Sequence, residues 1–320
     1  MTTREASDES QPSHCANCGA PLTGEYCAQC GQSRAELKRP IIGLFTDALD
    51  GLLTWDGRLL TTFRQLYARP GKLARDFVDG QRRRFTPPVR LYLVVSLVFF
   101  AAMAFSGVRI VAVNISLDET GAPNVGEPNV VVTLFQPPRD AAPVALDADA
   151  QRQVIEAAQA RGLSERMQSV ALDAMNSPDE LEAKAAAAAS QAMILMVVVF
   201  ALLSALLHPR RRLIEHTVHA LYFHAALLLP LAAFIIVGIR LPLPDVMLPI
   251  GPQGVALSLV IALLLAAIAT IGFVSGIVLF DRGFYDSSWV GAVLRAIPLV
   301  LGYVTSAVFA ALGLIFLAAL

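Results

Sequence analysis

Five long apolar runs after residue 88 constrain this chain more than any other feature. They lie near 89–106, 190–207, 217–239, 255–280 and 296–319, and a helix needs about 20 residues to cross a bilayer. Hydrocarbon offers no partner to backbone polar groups, so such runs fold as helices that satisfy their own N–H and C=O. Composition points the same way: 55% of residues are hydrophobic and 16% charged, and the mean hydropathy is +0.58. Soluble chains carry about a quarter charged residues. The expected fold class is an all-α polytopic membrane protein of about five transmembrane helices. A net charge of −1 gives no global case for nucleic acid as a partner.

Lys and Arg set the orientation. The flank before the first run is strongly basic, and Arg210, Arg211 and Arg212 sit between the second and third. Between the third and fourth only Arg240 appears, with Asp245. This predicts a multi-pass protein of the bacterial inner (cytoplasmic) membrane, N-terminus cytoplasmic and C-terminus periplasmic. Nothing before Arg34 has the apolar core of a signal peptide, so the first span is expected to act as its own uncleaved signal.

All four cysteines fall in the first 30 residues, as Cys15-Ala16-Asn17-Cys18-Gly19 and Cys27-Ala28-Gln29-Cys30-Gly31. In a reducing cytoplasm paired C-x-x-C motifs favour metal over disulfides. Each pair forms a knuckle supplying two thiolates, and Zn²⁺ takes four in a tetrahedron. The glycine after each knuckle suits a turn at positive φ. A ribbon over 1–36 is too small to bury a core, so metal supplies its folding energy. With four protein ligands the zinc is expected to be structural, and His14 to stand aside. Such a ribbon binds protein or nucleic acid, or merely orders the terminus; a cytoplasmic protein partner is the expectation, with nucleic acid disfavoured.

Residues 41–87 read as an amphipathic, basic juxtamembrane segment. Ile41, Leu44, Phe45, Leu49, Leu52 and Leu53, then Leu59, Leu60, Phe63, Leu66 and Tyr67, form an apolar stripe that Arg69-Pro70-Gly71 ends. Arg82, Arg83 and Arg84 follow, placed to contact anionic lipid headgroups of the bilayer. Topogenic charge and lipid contact are preferred here over a polyanion-binding role.

The segment 107–189 is expected to be a periplasmic insertion of mixed α/β character. Val108, Ile110 and Ala112, and Val130, Val132 and Leu134, alternate as in a hairpin around Gly121 and Gly126. Ser177-Pro178-Asp179-Glu180 signals a helix start, and that helix is free to continue into the second span. No nucleophile with a matching base stands out in the insertion, and no catalysed reaction is legible in the chain.

The third run opens with Glu215, His216, His219 and His224. The first three lie within about a third of the helix circumference, with His224 at one edge. Ionisable groups in a span are functional candidates, here for metal or proton handling. The spacing is not that of a zincin, and no second-span cluster is apparent to complete a metal shell. Packing or interfacial hydrogen bonding is therefore preferred. Asp281, Arg282, Tyr285 and Asp286 form the turn before the last span on the cytoplasmic side; meeting the Glu215 end of the third span they would build a polar vestibule, but an ordinary solvated loop is preferred.

Four motifs recur together: the knuckles ending Cys30-Gly31-Gln32; Arg58-Leu59-Leu60-Thr61-Thr62 leading to Arg69-Pro70-Gly71; Asp79-Gly80-Gln81-Arg82 through Pro87-Pro88; and Glu215-His216 with His219 and His224. In that order they resemble an uncharacterised family of bacterial zinc-ribbon inner-membrane proteins, known as a domain of unknown function. The resemblance implies architecture and location and no reaction. The expected domains are thus a ribbon (1–36), the juxtamembrane segment (41–87) and a membrane domain (88–320). The expected role is a zinc-ribbon binding, scaffold or regulatory protein. The alternative is a transporter or intramembrane metalloenzyme built on the histidines.

Overall fold

The computed structural model describes residues 13–33, 57–115, 130–138, 148–160, 177–240, 247–248 and 255–318, with isolated positions from 162 to 172. The expected amphipathic stripe over 41–53 and the hairpin tip at Gly121 and Gly126 lie outside the described residues. The elements, in order, are α1 (Arg58–Ala68), α2 (Lys72–Val78), α3 (Pro88–Ser106), β1 (Arg109–Ile115), β2 (Val130–Gln136), α4 (Ala148–Ala160), α5 (Pro178–Leu207), α6 (Leu213–Arg240), β3 (Met247–Leu248), β4 (Val255–Ala256), α7 (Leu257–Tyr285) and α8 (Trp289–Ala318).

Five of these helices are long and apolar enough to cross a membrane: Pro88–Ser106, Glu182–Leu207, Leu213–Gly238, Leu263–Tyr285 and Trp289–Ala310. That is compatible with a multi-pass membrane protein. Leu263, Leu264, Ile268 and Ile271 on α7, and Leu294, Ile297 and Leu301 on α8, are exposed. Their helical spacing makes continuous apolar stripes that hydrocarbon accommodates and water does not.

Several boundaries differ from the apolar runs. α5 begins at Pro178, where proline's fixed φ suits the first helical position, and runs unbroken to Leu207. Asp179 and Glu180 favour its N-terminal dipole. α7 starts at Leu257, after the short β3–β4 pairing, and continues to Tyr285. Asp281, Arg282 and Tyr285 are therefore helical, and the expected turn shrinks to 286–288. Asp286 takes φ 57° at the helix end, a left-handed cap that Asp tolerates better than most residues.

The chain packs as two compact units. The first comprises Met1–Ser96, Ser204–Leu227 and Gly272–Ala296. Its core holds Leu66, Leu73, Phe77, Phe85, Leu91, Tyr222 and Phe284. Thr62 Oγ1 donates to Arg58 O and accepts from Thr86 N–H. The buried Tyr222 hydroxyl donates to Thr86 O at 2.7 Å, and Tyr67 donates to Ala226 O at 3.0 Å. These bonds tie α1 and the approach to α3 onto α6.

The tightest contact in this unit is backbone on backbone. Gly71, at φ 78°, turns the chain between α1 and α2 directly against α7. A methyl group there would overlap Phe280 O and stand 2.8 Å from Phe284 N. Gly283 is its counterpart, since a methyl group on it would overlap Pro70 O. Arg75 on α2 adds an ion pair to Asp286 beyond the end of α7, and this guanidinium holds the Asp286 carboxyl below the usual carboxylate range.

The second unit comprises Leu97–Leu203, Leu228–Ile271 and Ile297–Leu320. β1 and β2 pair antiparallel, with Val111 opposite Leu134 and Val113 opposite Val132. Arg109 Nη1 meets Glu182 Oε1 at 3.0 Å and its Nε donates to Pro137 O, clamping the base of the hairpin to the start of α5. Leu203 of α5 packs on Gly302 of α8, and Phe200 meets Tyr303 edge to face.

Gly71→Ala and Gly283→Ala should each destabilise the detergent-purified protein by about 2 kcal/mol or more, through left-handed strain at the first and overpacking at both. Gly272→Ala is the control, because nothing lies within 4 Å of its added methyl. Thermal unfolding that leaves all three variants alike would refute the close approach.

Candidate functional site

The four cysteines converge. Their sulfur atoms all lie within 4.8 Å of one another, with Cys15–Cys30 at 3.6 Å and Cys18–Cys27 at 3.5 Å. These distances are too long for disulfides, and the thiols are free. They suit a metal ion, since a tetrahedron of thiolate bonds of about 2.3 Å has edges of about 3.8 Å. Among the described residues this is the one such group of His, Cys, Asp and Glu. His14 pairs with Ser13 instead.

The two knuckles are built alike, twelve residues apart (Cys15 to Cys27). Gly19 N–H donates to Cys15 O and Gly31 N–H to Cys27 O, each at 2.8 Å. Cys15 N–H donates to Ala20 O and Cys27 N–H to Gln32 O. Gly19 and Gly31 take φ 74° and 69°, which is why glycine follows each pair. Backbone N–H groups of Cys30 and Gln29 point at the Cys27 sulfur and hold its pKa down to about 6. A thiolate so stabilised is ready to ligate at neutral pH.

The second knuckle is docked. Gln32 is 3% exposed; its Nε2 donates to Gly80 O at 2.7 Å and its Oε1 accepts from Arg83 N–H at 3.4 Å. Arg83 Nη2 returns a bond to Gly31 O at 3.0 Å. Two of the sequence motifs, Gly31-Gln32 and Gly80 to Arg83, are thus two sides of one joint. Of the arginines expected at lipid headgroups, Arg83 serves this joint, Arg82 lies over the Phe77 ring and Arg84 over the Phe85 ring. Arg83 and Arg84 remain exposed.

A second polar cluster is buried in the same unit, around Tyr285. His208 stacks on its ring at 3.6 Å and 7°, and His216 Nδ1 pairs with its hydroxyl at 2.6 Å. His219 meets it edge-on while stacking on Phe284 at 4.8 Å. His208 Nε2 lies 3.2 Å from Asp281 Oδ1, and Arg295 Nη2 lies 3.4 Å from Asp281 Oδ2. Asp281 is 4% exposed and His216 fully buried.

The four residues singled out on α6 separate here. His216 and His219 join the cluster, whereas Glu215 pairs with Arg211 one turn away and His224 hydrogen-bonds Ala220 O of its own helix. Partners from other helices do exist: His208 after α5, Asp281 and Tyr285 on α7, and Arg295 on α8. Arg295, inside an apolar helix, carried a signal in its residue type. His208 gave none, standing beside Pro209 and three arginines.

Residues 56–100 match the family model described as "Protein of unknown function (DUF3667)". The match spans α1, α2, the Gly80–Arg83 turn and the first part of α3, and so includes Gly71 and the docking surface for Gln32. It fits a domain of unknown function. No curated protein and no solved structure matches the chain.

Gln32→Ala should leave the Gly80 carbonyl and Arg83 N–H without their partner, at about 1–3 kcal/mol for buried polar groups so stranded. The module should then be cleaved faster by protease than in the parent. Equal cleavage rates would mean that the joint does not hold it.

Proposed function

We propose that this is a multi-pass inner-membrane protein whose N-terminal zinc ribbon is a fixed cytoplasmic platform for a protein partner, making it a scaffold or regulatory protein rather than an enzyme. The observation that carries this reading is the Gln32 joint. A module that only ordered the terminus would need no buried glutamine spanning two backbone segments. Zinc is the metal best suited to four thiolates with no open coordination position, and its role is structural.

The docked side is the second knuckle, which leaves the hairpin side outward, with Tyr26 exposed there. An exposed aromatic on a rigid support is the kind of residue that anchors an interface. The positive-inside pattern supports a cytoplasmic ribbon, and the exposed Arg84 supports contact with anionic headgroups beside it.

Purified protein should contain one zinc per chain, and Cys27→Ser with Cys30→Ser should contain none. Metal binding displaces thiol protons, so apparent affinity should fall as pH drops, and more steeply below about 6, where the Cys27 thiolate also takes up a proton. Affinity capture should lose its partners in the same double variant and in Tyr26→Ala. Partners retained in both would sink the scaffold reading.

A second reading, a transporter or intramembrane enzyme, is favoured by the buried cluster around Tyr285. There His216→Ala should abolish a cellular phenotype at unchanged protein level, while His224→Ala should not. A phenotype untouched by His216→Ala would end it.

A further inference from the structure

The two knuckles are alike as metal ligands and unlike in what surrounds them. Ala20 stands in the first where Gln32 stands in the second, each carbonyl accepting the N–H of the leading cysteine, Cys15 or Cys27. A methyl group on Gly19 would meet nothing within 4 Å, whereas one on Gly31 would lie 3.6 Å from Arg83 Nη2. Four thiolates complete a zinc shell without help from neighbouring side chains, so the added bonds of the second knuckle serve the surface it meets. There Gln32 donates from Nε2 to Gly80 O at 2.7 Å and accepts at Oε1 from Arg83 N–H. Gly31 O accepts from Arg83 Nη2.

These docking groups belong to the ligand loop itself. Gly31 and Gln32 directly follow the ligand Cys30, and both are bonded through the backbone to the ligand Cys27. Gly31 N–H donates to Cys27 O at 2.8 Å, and Cys27 N–H donates to Gln32 O at 3.0 Å. A module of residues 13–33 is far below the size at which apolar burial alone holds a fold. Its four sulfurs lie within 4.8 Å of one another, and thiolates so close repel unless a cation lies between them. For a module of this kind metal binding and folding are one event. The receiving turn has support of its own: Gln81 N–H bonds Asp76 O at 2.9 Å, and Phe77 and Phe85 on either side are buried.

We propose that metal occupancy of Cys15, Cys18, Cys27 and Cys30 switches the docking of the second knuckle on the Gly80–Arg83 turn. With metal bound, the loop that follows Cys30 has the shape that presents Gln32 to Gly80. Without it the knuckle opens and the module leaves the turn, while α1, α2 and α6 stay folded. The effector is a thiophilic divalent cation, with Zn²⁺ as the type. The coupling runs both ways, as linkage requires: whatever metal adds to docking, docking adds to metal affinity. The platform is thereby conditional, since Tyr26 has a fixed place on the molecule only in the loaded protein. This rests on the metal-binding ribbon of the scaffold reading and not on any protein partner.

The test uses full-length protein in lipid nanodiscs under reducing conditions, loaded with Zn²⁺, stripped by a chelator and reloaded. Hydrogen–deuterium exchange over residues 80–83, which include the Arg83 amide bonded to Gln32, should quicken on stripping and slow again on reloading. Protection in α1, α2 and α6 should not change. The Zn²⁺ affinity of Gln32→Ala, read by competition with a chromophoric chelator, should fall by about fivefold or more, the low end of such couplings. Arg83→Ala, at an exposed position, should shift it the same way and serves if Gln32→Ala fails to fold. Ala20→Ser, on the other knuckle, should leave it unchanged. Exchange over 80–83 that ignores metal, or equal affinity in parent, Gln32→Ala and Arg83→Ala, overturns the proposal, as does a ribbon that takes up no Zn²⁺. Partners lost in Tyr26→Ala beside metal-indifferent exchange would leave the scaffold reading standing without the switch. Metal-dependent exchange with all partners retained would remove the scaffold reading and keep the switch.

Discussion

The first unit depends on two peptide backbones meeting without side chains between them. Where Pro70-Gly71 crosses α7 at Phe280 to Phe284, neither chain can carry a Cβ. That approach brings α2 close enough for Arg75 to reach Asp286, and α2 in turn leads into the Gly80–Arg83 turn on which the cysteine module sits. Proline before the turn fixes one φ and glycine supplies the positive one. The module at one end and the polar cluster at the other are positioned by the same short, rigid piece of chain.

Much of the architecture was legible because it follows from composition and period. Five helices of membrane-crossing length and a four-cysteine cluster required only apolar run lengths and C-x-x-C spacing. The β1–β2 pairing followed from alternation about the glycines, and the start of α5 from proline after serine. What a single sequence could not reveal was which residues meet from distant positions. Gln32 and Gly80 are 48 residues apart; His216 and Tyr285 are 69 apart. Gly283, among Asp281, Arg282 and Asp286, looks like a turn glycine until the chain at Pro70 is laid across it.

The histidines illustrate the same limit. Helical spacing on α6 put His216 and His219 together correctly, but the partners completing their surroundings came from three other helix ends. From sequence, Asp281 and Tyr285 fit either a polar vestibule against the start of α6 or a solvated loop, and nothing in the chain alone decides for the vestibule. In the structure the helix continues through them, and burial turns the same residues into a network. Arg295 lies one position before the apolar run assigned to the last span, so a boundary drawn by hydropathy removed it from consideration.

The joint made by Gln32 also changes what it means to remove the N-terminus. The cysteine module covers the Gly80 carbonyl and engages the Arg83 guanidinium, so a chain shortened past residue 33 does not simply lose a bead. It bares a polar seam beside the entrance to α3 and frees a cation next to it. Arg83, exposed already, would be solvated in its place, whereas the Gly80 carbonyl would have to find water where Gln32 now donates to it.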